Sequence, residues 1–252
     1  MPQTITVGQG TQARQIAVLA RKGKGKPVVW LGGFKSDMRS TKAEALDAWA
    51  EKAGRPFVRF DYSGHGESGG AFEEGTISHW LEDALAVLDR FVEAKPILVG
   101  SSMGGWISLL ATRRLLDDKP DSAPAGIVLI APATDFTERL MWDRFPEDIK
   151  RTVLETGVYY RPSEYSPDPY PITKGLIEDG RKHLLFGAPI KTGCPVHILQ
   201  GMQDPDVPPA HALQLMEHLP GDSTSLTLIK DGDHRLSRPE DLERLIKAVE
   251  GI

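Results

Sequence analysis

A serine stands between paired glycines in Gly100-Ser101-Ser102-Met103-Gly104-Gly105. The apolar run Pro96–Gly100 leads into it, and the helix-like run Trp106, Ile107, Leu109, Leu110 follows. Strand, sharp turn and helix are the setting of a nucleophile elbow. There the serine backbone is strained, and the residues two before and two after it must be small. Ser102 meets that condition with Gly100 and Gly104, whereas Ser101 is flanked at those places by Val99 and Met103. A helix opening here also turns its N–H groups toward any negative charge that develops beside the serine. The chemistry this predicts is attack of a serine hydroxyl on a carbonyl.

Such a nucleophile needs a base, and the base needs an orienting acid, both following late strands in the order serine, acid, histidine. Gly201-Met202-Gln203-Asp204-Pro205-Asp206 follows the strand-like run Pro195–Gln200, and Asp204 at its edge is the expected acid, with Asp206 its rival. Asp231-Gly232-Asp233-His234 follows the run Ser225–Lys230, and His234 is the expected base. The other histidines fit worse. His79, His211 and His218 fall in predicted helices, His183 in a long connection, His197 inside a strand, and His65 in a glycine loop as a local hydrogen-bonding residue. An oxyanion hole needs two backbone donors. They are expected at Met103, just after the nucleophile, and at Phe34 in the loop Gly32-Gly33-Phe34-Lys35-Ser36, with Gly33 allowing close approach of substrate.

A second Gly-x-Ser-x-Gly string occurs at Gly66-Glu67-Ser68-Gly69-Gly70. A loop precedes it and no helix starts behind it, so Ser68 is rejected as nucleophile. Gly64, Gly66 and Gly69 also spell a dinucleotide fingerprint. That motif requires a helix opening on its last glycine, and the next convincing helix starts near Ile77. No organic cofactor and no metal are called for.

These residues need a scaffold that brings strand ends together. Val28–Gly32, Phe57–Asp61, Pro96–Gly100, Gly126–Ala131, Pro195–Gln200 and Ser225–Lys230 read as strands, most of them continuously apolar. Continuous apolarity marks a parallel sheet covered on both faces. Amphipathic helices alternate with them. Ile77, Trp80, Leu81, Ala84, Leu85, Leu88, Phe91 and Val92 recur at helical spacing, and a last helix opens with a capping-box pattern at Ser237-Arg238-Pro239-Glu240. The fold class is therefore α/β, doubly wound, with helices on both faces. Ile5–Val7 and Gln15–Arg21 look like an antiparallel entry to the sheet, and the basic turn Arg21–Lys26 like a hairpin tip.

About 60 residues separate the strands ending near Ala131 and starting at Pro195, far more than an ordinary crossover needs. They hold Trp142, Phe145, Tyr159, Tyr160, Tyr165 and Tyr170 and prolines at 162, 167, 169 and 171. Residues 135–190 are read as an inserted cap with helices near Glu147–Thr156 and Ile172–Leu185, on a core domain formed by 1–134 and 191–252. Trp142, Tyr159 and Tyr160 are its candidate substrate contacts.

Composition bounds the function classes. The chain has 252 residues and a net charge of −5, which argues against a nucleic-acid binder. No apolar run is long enough for a membrane span, and no secretory signal is visible at the N-terminus. One cysteine, Cys194, excludes an intrachain disulfide, and there is no asparagine, so the group orienting the histidine must be a carboxylate.

Several strings carry a family resemblance. They are Arg59-Phe60-Asp61-Tyr62-Ser63-Gly64, Leu98-Val99-Gly100-Ser101-Ser102-Met103-Gly104-Gly105-Trp106, Gly201-Met202-Gln203-Asp204 and Asp233-His234-Arg235. The chain resembles the α/β-hydrolase superfamily over nearly its whole length. Within it, the chain is similar to the branch holding a mitochondrial mycophenolic acid acyl-glucuronide esterase and protein S-depalmitoylase, with bacterial relatives. The resemblance implies the α/β-hydrolase fold, Ser102, Asp204 and His234 as a catalytic triad, and hydrolysis of an ester or thioester. The implied substrate is a small-molecule acyl ester or acyl thioester, or an S-acylated protein. The chain starts almost directly at the domain, so cytoplasmic location is the expectation. Runner-up readings on this scaffold are a peptidase, a C–C hydrolase and a non-catalytic ligand-binding module. Arg39, Arg59, Arg161 and Arg235 are candidates for a cationic mouth of the site.

Overall fold

The computed structural model describes residues 1–162, 169–219 and 223–252. Tyr165 and Pro167 of the aromatic, proline-rich stretch lie outside the described residues. The central sheet is built from β1 (Gln3–Val7), β2 (Arg14–Arg21), β3 (Val28–Leu31), β4 (Phe57–Phe60), β5 (Ile97–Ser101), β6 (Gly126–Ile130), β9 (Val196–Gly201) and β10 (Thr224–Ile229). Their order across the sheet is β1-β2-β4-β3-β5-β6-β9-β10. The pairs β1–β2 and β2–β4 are antiparallel, and every pair from β4 to β10 is parallel. All the strands expected from sequence are present, and β1 and β2 form the antiparallel entry. One local expectation fails. β2 lies beside β4 and not beside β3, so Arg21–Lys26 is a connection that passes over a strand and not a hairpin tip.

The parallel strands are buried on both faces because alternate residues serve different layers. On β3, Val28 and Trp30 join a core with Leu46 and Ala50 of α1 (Thr41–Ala53) and Leu245 and Val249 of α7 (Pro239–Glu250). Val29 and Leu31 join the opposite core with Trp80 and Ala84 of α2 (Ile77–Phe91), Trp106 and Ile107 of α3 (Met103–Asp118) and Leu215 of α6 (Pro209–His218). The last helix starts one residue later than its sequence pattern indicates. Pro239 takes the first helical turn, where its missing N–H costs nothing, so Arg238 becomes the N-cap and Asp241 completes the capping box.

The stretch between β6 and β9 contains a π-helical turn at Thr137–Met141, α4 (Glu147–Thr156), β7 (Val158–Arg161), β8 (Tyr170–Thr173) and α5 (Lys174–Gly180). α4 has the bounds expected from sequence and ends on Gly157 in the left-handed region. The second expected helix does not begin at Ile172. Residues 170–173 instead pair antiparallel with β7, Tyr159 opposite Ile172 and Tyr160 opposite Pro171. A two-stranded ribbon has free edges that tolerate proline, and Thr173 then caps α5 by accepting from the Leu176 N–H at 3.1 Å. Ile172, Leu176, Ile177, Leu185 and Phe186 are buried in the same core as Trp106 and Ile107, so the stretch is anchored in the main core. Its two ends are stapled by the buried Asp135, whose carboxylate accepts from the N–H groups of Leu185 at 2.8 Å and Phe186 at 3.0 Å. Burial pushes the Asp135 carboxyl above its ordinary range, and those bonds partly offset the shift.

Candidate active site

The turn between β5 and α3 forces Ser102 to φ 54° and ψ −117°, a strained conformation for a residue with a side chain. Its flanks show why glycine is required. A Cβ on Gly100 would lie 2.4 Å from the Gly104 carbonyl oxygen, and one on Gly104 would lie 2.0 Å from the Leu31 carbonyl oxygen. Both clashes are with backbone and cannot be relieved by a rotamer change. Gly104→Ala should therefore cost about 3 kcal/mol or more, read as a lowered midpoint in urea unfolding followed by circular dichroism. A midpoint within error of the wild type would contradict the packing at this turn.

Two further loops bring their side chains to Ser102. At the ends of the parallel strands β9 and β10, Gly201 lets the chains nearly touch, since a Cβ there would meet the Gly232 carbonyl oxygen at 2.4 Å. Gln203 N–H then donates to that carbonyl at 2.9 Å. The stitched loops place His234 Nδ1 2.8 Å from Asp204 Oδ2 and His234 Nε2 3.2 Å from Ser102 Oγ. Asp204 Oδ1 accepts from the N–H groups of Asp206 at 2.9 Å and Val207 at 2.8 Å. Gln200, fully buried at the end of β9, donates from Nε2 to Asp204 Oδ2 at 3.3 Å. Asp204 thus faces His234, while Asp206 contributes its backbone to Asp204 and lines the cavity in front. Asp204, Asp206 and His234 carry potential metal-ligand atoms within 4.8 Å of one another. The hydrogen bonds that Asp204 accepts already orient it toward the imidazole, which suits proton chemistry better than chelation.

The N–H of Met103 opens α3, and that of Phe34 lies in the loop after β3. Among the described residues neither donates to a protein acceptor. Gly33 is buried against Ser102, and a Cβ there would stand 3.4 Å from Ser102 Cβ. Next in the loop, Lys35 has φ 60°, and its N–H donates to His65 Nε2 at 3.1 Å. His65 Nδ1 in turn bonds the Ser63 carbonyl at 3.1 Å, which fixes the tautomer with the proton on Nδ1. The reach of His65 to the Phe34 loop goes beyond the local role expected of it. Its glycine neighbours are the available signal: a Cβ on Gly66 would strike the Asp61 carboxylate at 2.2 Å, and one on Gly64 the Phe72 backbone at 2.7 Å. The Gly64-His65-Gly66 loop is thus compressed so that the imidazole reaches across. Burial, with a smaller push from the Lys35 charge, lowers the His65 pKa to about 4, so the ring is a neutral acceptor near pH 7. Ser68 is tied down structurally, accepting from Ala17 N–H at 2.8 Å and donating to the Asp61 carbonyl at 2.7 Å.

Ser102 and His234 open onto a cavity of about 340 Å³ walled by Phe34, Phe136, Leu140, Met141, Phe145, Tyr159, Tyr170 and Val207, with Arg144 and Arg161 also in its lining. Of the three aromatic contacts expected from sequence, only Tyr159 is in this wall. On β7 side chains alternate, so Tyr159 and Arg161 share one face and Tyr160, 54 % exposed, takes the other. Trp142 packs on the core and lies under the charges of Arg181 and Lys150, at 5.0 and 5.9 Å from its ring centre. Of the four arginines considered for a cationic mouth, Arg161 is in this cavity. Arg39 and Arg235 line a second one, and Arg59 is buried against Asp47 at 2.8 Å. Cys194 is remote from the site, and burial pushes its thiol up to about 11, which leaves it unreactive.

The model of the alpha/beta hydrolase family matches residues 28–245. The palmitoyl-protein thioesterase ABHD10, mitochondrial, of Bos taurus is 33 % identical over 232 residues, covering 92 % of this chain and 74 % of that protein. Its mitochondrial name lends no support to the cytoplasmic location expected from sequence; among the described residues no helix is long and apolar enough to cross a membrane. The mouse alpha/beta hydrolase domain-containing protein 10 structure superposes with a TM-score of 0.87 at 30 % identity, covering 99 % of this chain and 97 % of that one. A crystal structure from Agrobacterium vitis S4 superposes with a TM-score of 0.97 at 52 % identity, covering 100 % of this chain and 98 % of that one. With the family model matching residues 28–245 and a 33 % identical relative covering 92 % of this chain, the chain belongs to the alpha/beta hydrolase family.

Proposed function

We propose that the protein is a serine hydrolase of carboxylic esters and thioesters that works through an acyl-enzyme. The observation that carries this reading is the line of hydrogen bonds from Ser102 Oγ through both nitrogens of His234 to Asp204. His234 Nε2 takes the hydroxyl proton as Ser102 Oγ bonds to the substrate carbonyl carbon. Asp204 holds the proton on Nδ1 and stabilises the imidazolium. The N–H groups of Met103 and Phe34 receive the oxyanion. When the tetrahedral intermediate collapses, the bond to the leaving oxygen or sulfur breaks and His234 returns its proton to that atom. Water, deprotonated by His234, then attacks the acyl-enzyme and restores Ser102.

Residues 135–190 act as the cap in this reading. Their apolar side chains would seat the acyl chain, and the relatives named palmitoyl-protein thioesterase support a long one. The substrate is then a small acyl ester or thioester or an S-acylated protein. A panel of acyl esters, thioesters and S-acylated peptides of graded chain length tests this, and absence of turnover on all of them would overturn it. Tyr159→Ala should shift the preferred chain length by two or more carbons, whereas Tyr160→Ala and Trp142→Ala should leave it unchanged. The same shift in all three variants would contradict the assigned wall.

His65 is a positioning residue in this scheme. Through the Lys35 N–H it holds the loop that offers the Phe34 donor. Losing one oxyanion donor outright costs about 10²–10³ in rate, so loosening that loop in His65→Ala should lower kcat about tenfold with little change in KM. His65→Gln, which retains an acceptor, should recover part of the loss. Between pH 6.5 and about 4 the unfolded chain protonates this ring and the folded one does not, so its stabilising share is present above 6.5 and fades as pH falls toward 4. His65→Gln should therefore flatten the pH dependence of the unfolding midpoint in that window.

A further inference from the structure

Ser102 and His234 border two cavities, and the second differs in chemistry from the apolar one. It measures about 620 Å³ and lies between the Phe34 loop, the start of α1 and residues 235–237. Lys35, Arg39, Lys42 and Arg235 line it against a single acid, Asp37, in a chain whose net charge is −5. Arg39 is paired with Glu67. The Lys35 ammonium lies over the rings of Phe72 and Tyr170, at 4.9 and 6.0 Å, and has no carboxylate partner among the described residues. The Lys42 ammonium donates to the Arg235 carbonyl and so fixes the loop after His234. The walls also hold two buried donors, Ser40 Oγ and Trp30 Nε1, for which no acceptor is present among the described residues. Ser40, the N-cap of α1, makes no capping bond with its side chain. Cations that outnumber carboxylates in the lining, beside two buried polar atoms without a partner among the described residues, make a surface suited to anions.

Phe34 and Tyr170 stand between the two cavities and belong to the lining of both. A scissile carbonyl at Ser102 can then send one arm each way. The hydrocarbon arm gains from the apolar wall, while a charged arm would be costly to desolvate there. A single carboxylate would be satisfied by one cation, whereas the basic cavity spreads several over its volume. Building on the hydrolase reading above, we propose that this cavity binds the leaving group of the substrate and that this group carries phosphates, as in an acyl thioester of a nucleotide-linked phosphopantetheine thiol. The C–S bond breaks as before, and the thiolate leaves with the His234 proton while its phosphates rest on Lys35, Arg39 and Arg235.

The test compares octanoyl-coenzyme A with octanoyl-pantetheine, which has the same thiol without phosphates, and with an octanoyl glucuronide, which carries one carboxylate. At low ionic strength kcat/KM for the coenzyme A ester should exceed that for the pantetheine ester by about tenfold or more. The advantage should shrink as salt is raised, and the double variant Lys35→Gln/Arg39→Gln should bring the ratio to about one through KM. Equal wild-type values for the two thioesters, or a glucuronide favoured over a coenzyme A ester that gains nothing from its phosphates, would overturn the proposal. In both cases turnover of the pantetheine ester that Ser102→Ala abolishes leaves the hydrolase reading standing. Turnover of none of the three would overturn both. Should the double variant fail to fold, the wild-type ratio and its salt dependence still decide.

Discussion

Ser102→Ala should reduce kcat toward ester and thioester substrates by roughly 10⁶-fold, as removal of the nucleophile does in serine hydrolases that act through a triad. The size follows from the loss of covalent catalysis. Without Oγ, His234 has no proton to take, and what remains is the Met103 and Phe34 donors acting on a directly attacking water. The fold should survive. The alanine side chain is smaller than the serine it replaces, and the bonds at this residue that hold the turn, Ser102 N–H to the Ile130 carbonyl at 2.9 Å and Gly105 N–H to the Ser102 carbonyl at 2.9 Å, are all backbone. The backbone strain at φ 54° is the same for both residues. Steady-state kinetics beside a thermal melt measure the effect. A variant that stays folded and keeps more than about a thousandth of the activity would mean another group is the nucleophile.

Asp204→Asn should cost about 10⁴ in kcat, while Asp206→Asn should cost less than about threefold. The two aspartates are two residues apart and chemically identical, so the contrast isolates geometry. The Asp204→Asn variant would present an amide where His234 Nδ1–H now finds a carboxylate oxygen at 2.8 Å. It would favour the tautomer that puts the imidazole proton on Nε2, facing Ser102, where an acceptor is required. It would also remove the charge that stabilises the imidazolium. Asp206 serves Asp204 through its backbone N–H, which the substitution leaves in place. Comparable losses in the two variants would show that the acid is shared or misassigned.

Most of the scaffold is legible in the sequence because its parallel strands are short apolar runs whose two faces are both covered, a pattern that little else in a chain of this size produces. The elbow is legible because two glycines flank the one serine that needs them. The choice between Asp204 and Asp206 rests on position alone, and only the Gly201–Gly232 approach shows why Asp204 reaches the histidine. Other features escape a reading along the chain for identifiable reasons. The β7–β8 ribbon is short and proline-bearing, and its hydrophobic spacing imitates a helix start at Ile172. Tyr160 and Trp142 group with Tyr159 in the sequence because aromatic content does not reveal which face of a strand a ring occupies. The His65 contact joins residues 30 apart through a backbone N–H, and backbone donors leave no trace in residue type. Arg39 and Arg235 of the basic cavity are among the arginines considered for a cationic mouth, whereas Lys35 and Lys42, which join them there, look like ordinary surface charge along the chain.

Activation of Ser102 by His234 and Asp204 can be read by exposing the folded protein to a fluorophosphonate and locating the adduct by peptide mass spectrometry. One stoichiometric adduct is expected on Ser102, absent in Ser102→Ala and formed far more slowly in Asp204→Asn and His234→Ala. No adduct on the folded protein, or an adduct on Ser68, Ser101 or another residue that persists in Ser102→Ala, would contradict it.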